Sequence, residues 1–263
     1  MKKQLIDFRI LDNRSLSDDT VRLILTPTNY QPLPEIQPGQ FVNVRIPNGS
    51  ETFLRRPISV NRVRRLGNEL HLVVKVVGEG TRILASLPKE SILNILLPLG
   101  NGFPMKDVSG KRVLVIGGGV GVAPLLFYGE KLKEVGAFPT FLLGARTSKD
   151  LLMAGEFSAV APTCFTTEDG SLGVKGFVTD SPLLIAGSAE VADFDFWVCC
   201  GPAPMMKAVA KCAKTREKVC YVSLENMMAC GLGACLCCVE KTVRGNLCVC
   251  TNGPVFNINE LLW

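Results

Sequence analysis

Histidine is almost missing from this chain: His71 is the only one. That scarcity excludes sites built on two imidazoles, and no nucleophile stands beside an obvious base, so chemistry driven by side-chain proton transfer is not expected. Blocks of like charge are missing too. Lys and Arg number 29 against 24 Asp and Glu with no run of five of one sign, which argues against a nucleic-acid partner. The small excess, +5, suits a protein that neutralises bound anions such as dinucleotide phosphates or a negatively charged cluster. No stretch approaches the ~18 uninterrupted apolar residues of a membrane helix. Met1 to Asp7 reach an acidic side chain before the apolar segment of a secretion signal can develop. The chain is therefore expected in the cytoplasm. Internal repeats and low-complexity linkers are lacking as well.

What is present is enough apolar material, 47% of 263 residues, for two modest cores and an appendage. Eleven cysteines are also present. In a reducing compartment they are not naturally disulfides, and an odd number cannot pair completely within one chain. Cys164, Cys199, Cys200, Cys212 and Cys220 are scattered, whereas Cys230, Cys235, Cys237, Cys238, Cys248 and Cys250 crowd the last 34 residues.

Alternating apolar patterns over Asp7–Leu11, Val21–Leu25, Gln40–Pro47 and Leu70–Val77 predict short antiparallel strands. A short helix over Thr81–Leu87 and a strand over Ile92–Leu97 complete a small β-barrel across residues 1–102. At Gly100-Asn101-Gly102 the style changes. Val113–Ile116 is a buried strand running into a glycine loop. Strands at Phe141–Leu143, Thr163–Phe165, Phe196–Val198 and Val219–Val222 alternate with helical segments, most plainly Ala203–Lys214. Residues 103–224 thus read as a doubly wound, Rossmann-like α/β domain. From Glu225 regular patterning stops, and 225–263 is expected to be a small cysteine-rich subdomain.

In that tail Cys230, Cys235 and Cys238 have the C-x4-C-x2-C spacing of plant-type [2Fe-2S] sites, with a fourth thiolate downstream at Cys248 or Cys250. Gly231 and Gly233 supply the tight loop that wraps such a cluster while its N–H groups face sulfur. A structural zinc site is the rival reading, but it pairs its cysteines in two short knuckles. A Rieske cluster needs two histidines and is excluded. Cys237 is read as a free thiol.

Upstream, Arg56-Pro57-Ile58-Ser59 opens a strand at the barrel rim. The arginine can neutralise a pyrophosphate, the residues between can lie along an isoalloxazine face, and the serine hydroxyl can reach its N5 edge. Gly80-Thr81 stands where a short helix begins and can hold a phosphate. Gly117-Gly118-Gly119-Val120-Gly121 lies between a buried strand and a helix, the context in which a dinucleotide approaches the backbone, although it departs from strict G-x-G-x-x-G. Cys200-Gly201-Pro202 ends another strand at the same sheet edge.

Together these segments, in this order, resemble the ferredoxin–NADP reductase superfamily along the whole chain. Leu54–Ser59, Glu168–Ser171, Gly176–Asp180, Ser223–Glu225 and Cys250–Phe256 are similar to a narrower group within it, the electron-transfer subunits that serve a dihydroorotate dehydrogenase. The resemblance implies FAD at Arg56–Ser59, Val73-Val74-Lys75 and Gly80-Thr81, NAD(H) at the glycine loops, and Cys250 rather than Cys248 as fourth cluster ligand. It further implies an FMN-containing dihydroorotate dehydrogenase catalytic subunit as partner, in a heterotetramer of two plus two working in pyrimidine biosynthesis. Ile58 departs from the tyrosine that many reductases place against the flavin. Other readings are a differently partnered NAD(P)H reductase serving sulfur or ferredoxin reduction, and a non-catalytic, zinc-stabilised interaction module.

Overall fold

The computed structural model describes residues 2–47, 52–185 and 194–263. The first hundred residues form β1 (Gln4–Ser17), β2 (Thr20–Pro27), β3 (Phe41–Val44), β4 (Arg56–Arg64), β5 (Glu69–Lys75), α1 (Glu79–Ser86) and β6 (Ile92–Leu99). The six strands close a barrel in the order β1-β2-β5-β4-β3-β6, with each neighbouring pair antiparallel. The alternation in the sequence explains the closure. Phe8, Ile10, Leu25, Leu70, Leu72, Leu93 and Ile95 have no exposed surface, and a closed sheet leaves no edge to pair with strangers. The expected strand over Gln40–Pro47 is shorter, because hydrogen bonding to both neighbours is confined to Phe41–Val44.

The second half builds a parallel sheet from β7 (Arg112–Gly118), β8 (Phe138–Ala145), β9 (Thr163–Thr167), β10 (Val174–Lys175), β11 (Phe196–Cys200) and β12 (Val219–Ser223), with helices α2 (Ala123–Glu134), α3 (Ala154–Val160) and α4 (Ala203–Thr215) between them. Val113 to Ile116 are completely buried, as expected of a strand covered on both faces. Strand order runs outward from β7 in opposite directions, through β8, β9 and β10 on one side and through β11 and β12 on the other. The β7/β11 boundary is therefore the topological switch point, at whose carboxyl edge such sheets bind ligands.

The tail contains a hairpin of β13 (Val239–Thr242) and β14 (Gly245–Cys248), the single turn α5 (Val249–Asn252), and β15 (Val255–Asn257). It divides at Pro254. Residues 225–254 group with the barrel, and 255–263 group with the α/β unit. The cause of the division is β15, which adds an antiparallel strand beside β12 through Tyr221↔Asn257, Val222↔Phe256 and Ser223↔Val255.

Candidate cofactor and cluster sites

In the barrel the two segments expected to hold phosphate converge. Arg56 to Ser59 are half-buried, whereas Val60 to Val63 on the same strand are buried, so the start of β4 presents a strip on which a ligand can lie. The Arg56 guanidinium stands directly over Gly80: a Cβ at that glycine would be 2.8 Å from Nε and 3.1 Å from Cζ. Nη1 of Arg56 donates to the Leu54 carbonyl at 2.8 Å. A glycine in the first turn of α1, with a guanidinium against it, can cradle a pyrophosphate.

Thr81 plays a part that the sequence did not reveal. Its hydroxyl oxygen accepts from the Val77 and Gly78 amides at 2.9 and 3.1 Å and donates to the Gly78 carbonyl at 2.9 Å. The side chain thus shapes the cradle's backbone from behind. Val73 and Val74 are buried on β5, and Lys75 pairs with Asp19 at 3.3 Å. An Arg56→Ala variant is expected to hold FAD at least about tenfold more weakly, since a charge-assisted hydrogen bond contributes roughly 1.5–3 kcal/mol. Flavin retained on desalting, read by absorbance, measures it; undiminished retention would remove Arg56 from the cradle.

In the α/β unit the two glycine loops meet at the switch point. Register pairs Cys200 with Gly117. A Cβ on Gly121 would lie 2.6 Å from Gly201 Cα and 2.8 Å from the Cys200 carbonyl carbon, and one on Gly201 would lie 3.2 Å from Gly118 N. Gly119 takes φ +55 with open space beside it. Pro202 caps α4. Met205 escaped notice in the sequence, yet its sulfur fills the space under Gly118, 2.4 Å from where a Cβ would be. The paired methionines Met205-Met206, close behind Gly201-Pro202, were the available signal. Loops of bare backbone packed this closely, at the carboxyl edge of a parallel sheet, fit a dinucleotide.

The tail gathers the predicted ligands. Gly231, Gly233 and Leu236 adopt φ of +69, +83 and +57, turning the loop so that amides face sulfur. The Leu232 amide donates to Cys230 Sγ at 3.3 Å and the Cys250 amide to Cys238 Sγ at 3.4 Å. The Leu232 N–H, helped by the Cys235 and Ala234 amides, lowers the Cys230 thiol to about 6, which favours the thiolate form that a metal ligand needs. Burial, with Cys238 beside it, pushes the Cys250 thiol up to about 12, a proton that ligation displaces. Cys238 and Cys250 are buried while Cys235 is exposed. Cys237 is exposed. Cys248 is half-buried, and its thiol is raised by burial and by Cys238, Cys235 and Cys230. Among the described residues no three His, Cys, Asp or Glu side chains converge on a single-ion position; a binuclear cluster spreads four thiolates over two irons. The donor set and its N–H···S bonds fit [2Fe-2S].

The family described as "Iron-sulfur cluster binding domain of dihydroorotate dehydrogenase B" matches residues 225–262. The "Dihydroorotate dehydrogenase B (NAD(+)), electron transfer subunit" of Shouchella clausii is 35% identical over 267 residues, covering 100% of both chains. Its counterpart in Bacillus velezensis is 36% identical and covers 96% of each. The chain belongs to the family of dihydroorotate dehydrogenase B electron-transfer subunits. Among solved structures, NADH-dependent reduced ferredoxin-NADP oxidoreductase, a system of flavin-based electron bifurcation, aligns with TM-score 0.85 and 31% identity over 97% of this chain and 90% of that one. Phthalate dioxygenase reductase, 20% identical over 80% of this chain and 64% of that one at TM-score 0.64, shares the fold. As a member of this family the chain is a component of a redox complex, using FAD, a [2Fe-2S] cluster and NAD(H). The zinc-module reading is set aside by the iron-sulfur match, and among the described residues no helix is long and apolar enough to cross a membrane.

Proposed function

We propose that this subunit carries electrons between NAD(H) and an FMN-containing catalytic subunit that oxidises dihydroorotate, two copies of each assembling as a heterotetramer in the cytoplasm. The observation that carries the reading is the pairing, within one barrel unit, of a pyrophosphate cradle at Arg56 and Gly80 with a four-thiol segment at Cys230, Cys235, Cys238 and Cys250. When bound, FAD supplies the conversion between the two-electron chemistry of nicotinamide and the one-electron chemistry of a [2Fe-2S] cluster. The chain's own residues bind and orient. Arg56 and the first turn of α1 neutralise phosphate, the half-buried start of β4 offers the strip beside it, and the Gly117–Gly121 and Cys200–Pro202 loops receive the nicotinamide dinucleotide. No side chain is required as a base, and the single histidine is sequestered in the barrel against Glu69 at 2.9 Å.

Exposed Met227, Leu232 and Leu236 flank the cysteine loop and give a partner an apolar contact around the exposed Cys235. Eleven cysteines without a disulfide agree with a reducing compartment.

The likeness to the ferredoxin-NADP system keeps a second reading in view, a reductase with another partner. Co-expression with the catalytic subunit of a dihydroorotate dehydrogenase separates them. The proposal expects co-purification at equal stoichiometry, FMN and FAD in equal amounts, and dihydroorotate-dependent reduction of NAD+. A chain that purifies alone and leaves that reaction at zero would overturn it in favour of the second reading.

A further inference from the structure

Two asparagines of the barrel touch the cluster-binding segment at its ends, and neither belongs to the sites above. Asn43 has no exposed surface, inside a strand whose four residues are all buried. Its amide nitrogen lies 3.4 Å from the carbonyl oxygen of Cys230, to which it donates. Its side-chain oxygen is buried with no partner among the described residues. The loop sits so close above it that a Cβ on Gly231 would be 3.0 Å from Asn43 Nδ2 and 3.2 Å from Leu99 Cδ1. At the other end, Asn101 Nδ2 donates to the carbonyls of Thr251 and Asn252 at 3.1 and 2.9 Å, and its backbone amide donates to Gly253 at 2.6 Å. Next to it, a Cβ on Gly100 would be 2.5 Å from Pro254 Cδ.

Both contacts issue from one edge of the barrel, because β3 pairs with β6 through Phe41↔Leu99 and Asn43↔Leu96. On its other side β3 places Asn43 opposite Pro57 of the strand assigned to the flavin. We propose that Asn43 and Asn101 are positioning residues that pin the first and last ligands of the cluster segment to the barrel strands beside the flavin strip.

The physical case rests on how little else holds that segment. From Glu225 to Pro254 the only buried apolar side chains are Cys238, Val249, Cys250 and Pro254, so the segment lacks a core of its own and its ligands must be positioned by hydrogen bonds. An unpaired buried amide oxygen is costly, and a buried asparagine at this place in an apolar strand is explained by what its nitrogen holds.

The inference rests on the assignment of a [2Fe-2S] cluster to the four cysteines. Its test is Asn43→Asp and Asn101→Asp, singly and together, in the whole chain. Each change keeps the shape and turns the donor into an oxygen facing a carbonyl. Iron release to a ferrous chelator is followed with time, the reduced cluster is observed by electron paramagnetic resonance, and FAD per chain is the control. The expected result is release about tenfold faster in each single variant, the loss typical when a supporting hydrogen bond behind a metal ligand is removed. Asn43→Asp should also displace the resonance, and FAD content should stay level. Release within twofold of the parent with an unaltered resonance would overturn the role. Should an aspartate variant fail to accumulate, Asn43→Ser and Asn101→Ser are read the same way. A parent protein prepared without oxygen that holds neither iron nor acid-labile sulfide would overturn the cluster assignment itself, which is a different failure.

Discussion

Replacing Cys250 by alanine should strip the protein of its iron, while replacing Cys248 or Cys237 should not. Cys250 is buried, and its own amide donates to Cys238 Sγ at 3.4 Å, so its backbone supports a proposed ligand as its side chain would supply another. It stands on α5, whose first residue hangs from the Cys238 carbonyl at 3.0 Å, and Asn101 holds the two residues that follow. Cys248 precedes this turn and ends β14, where register places it opposite Val239. It feels the other thiols but is only half-buried, where Cys238 and Cys250 are buried. The loss of one thiolate exceeds the ten- to hundredfold cost of losing a supporting contact, so Cys250→Ala should fall more than about a hundredfold in iron affinity. Iron and acid-labile sulfide per chain, with the visible spectrum after flavin subtraction, read it out. Iron retained in Cys250→Ala and lost in Cys248→Ala would exchange the two assignments. Alanine is preferred to serine because a serine oxygen can stand in for sulfur.

Much of this arrangement was legible in the sequence where periodicity or spacing is strict. Period-two runs marked four of the six barrel strands, the apolar stretch Ile92–Leu97 marked a fifth, and Arg56 marked the start of β4. Buried runs ending in glycine marked β7 and β11, and the C-x4-C-x2-C spacing marked three of the cysteines that the tail brings near one another. Spacing alone left Cys248 and Cys250 equal, because they differ by burial and by what their backbones bond, which no one-dimensional pattern carries. β15 was illegible for a related reason: Val255-Phe256-Asn257 is too short to show a period, and its place beside β12 is a tertiary fact. The hairpin of β13 and β14 has two four-residue strands with a single buried residue, Thr242, so it gives no amphipathic signal. Threonine at a helix start marked Thr81 as a candidate cofactor contact, whereas its hydroxyl's bonds to the nearby Val77 and Gly78 backbone are local geometry that no pattern announces. Asn101 sits in Gly100-Asn101-Gly102 and looks like a turn residue. Asn43 did leave a trace, one polar side chain among Phe41, Val42 and Val44.

A Gly121→Ala variant should lose reduction by NADH while keeping its flavin and iron. The added Cβ would lie 2.6 Å from Gly201 Cα, 2.7 Å from Gly201 N and 2.8 Å from the Cys200 carbonyl carbon, all backbone atoms that cannot rotate away. Sliding the loops apart is resisted by the sheet, since β7 and β11 are neighbours from Phe196↔Val113 to Cys200↔Gly117 and β8 holds β7 from the other side. The strain must therefore appear in the two loops, which are the segments assigned to the dinucleotide. A displacement of ~1 Å in a positioning loop costs about a hundredfold in rate, so the second-order rate of flavin bleaching by NADH should fall by about that factor. Gly119→Ala is the comparison. It meets nothing within 4 Å and suffers only from φ +55, a cost of about 1–2 kcal/mol, so its stability should drop while loop spacing is kept. Anaerobic stopped-flow mixing with NADH, alongside thermal unfolding, distinguishes the two. If Gly121→Ala is reduced as fast as the parent, the meeting of these loops is packing alone and the nicotinamide must enter elsewhere.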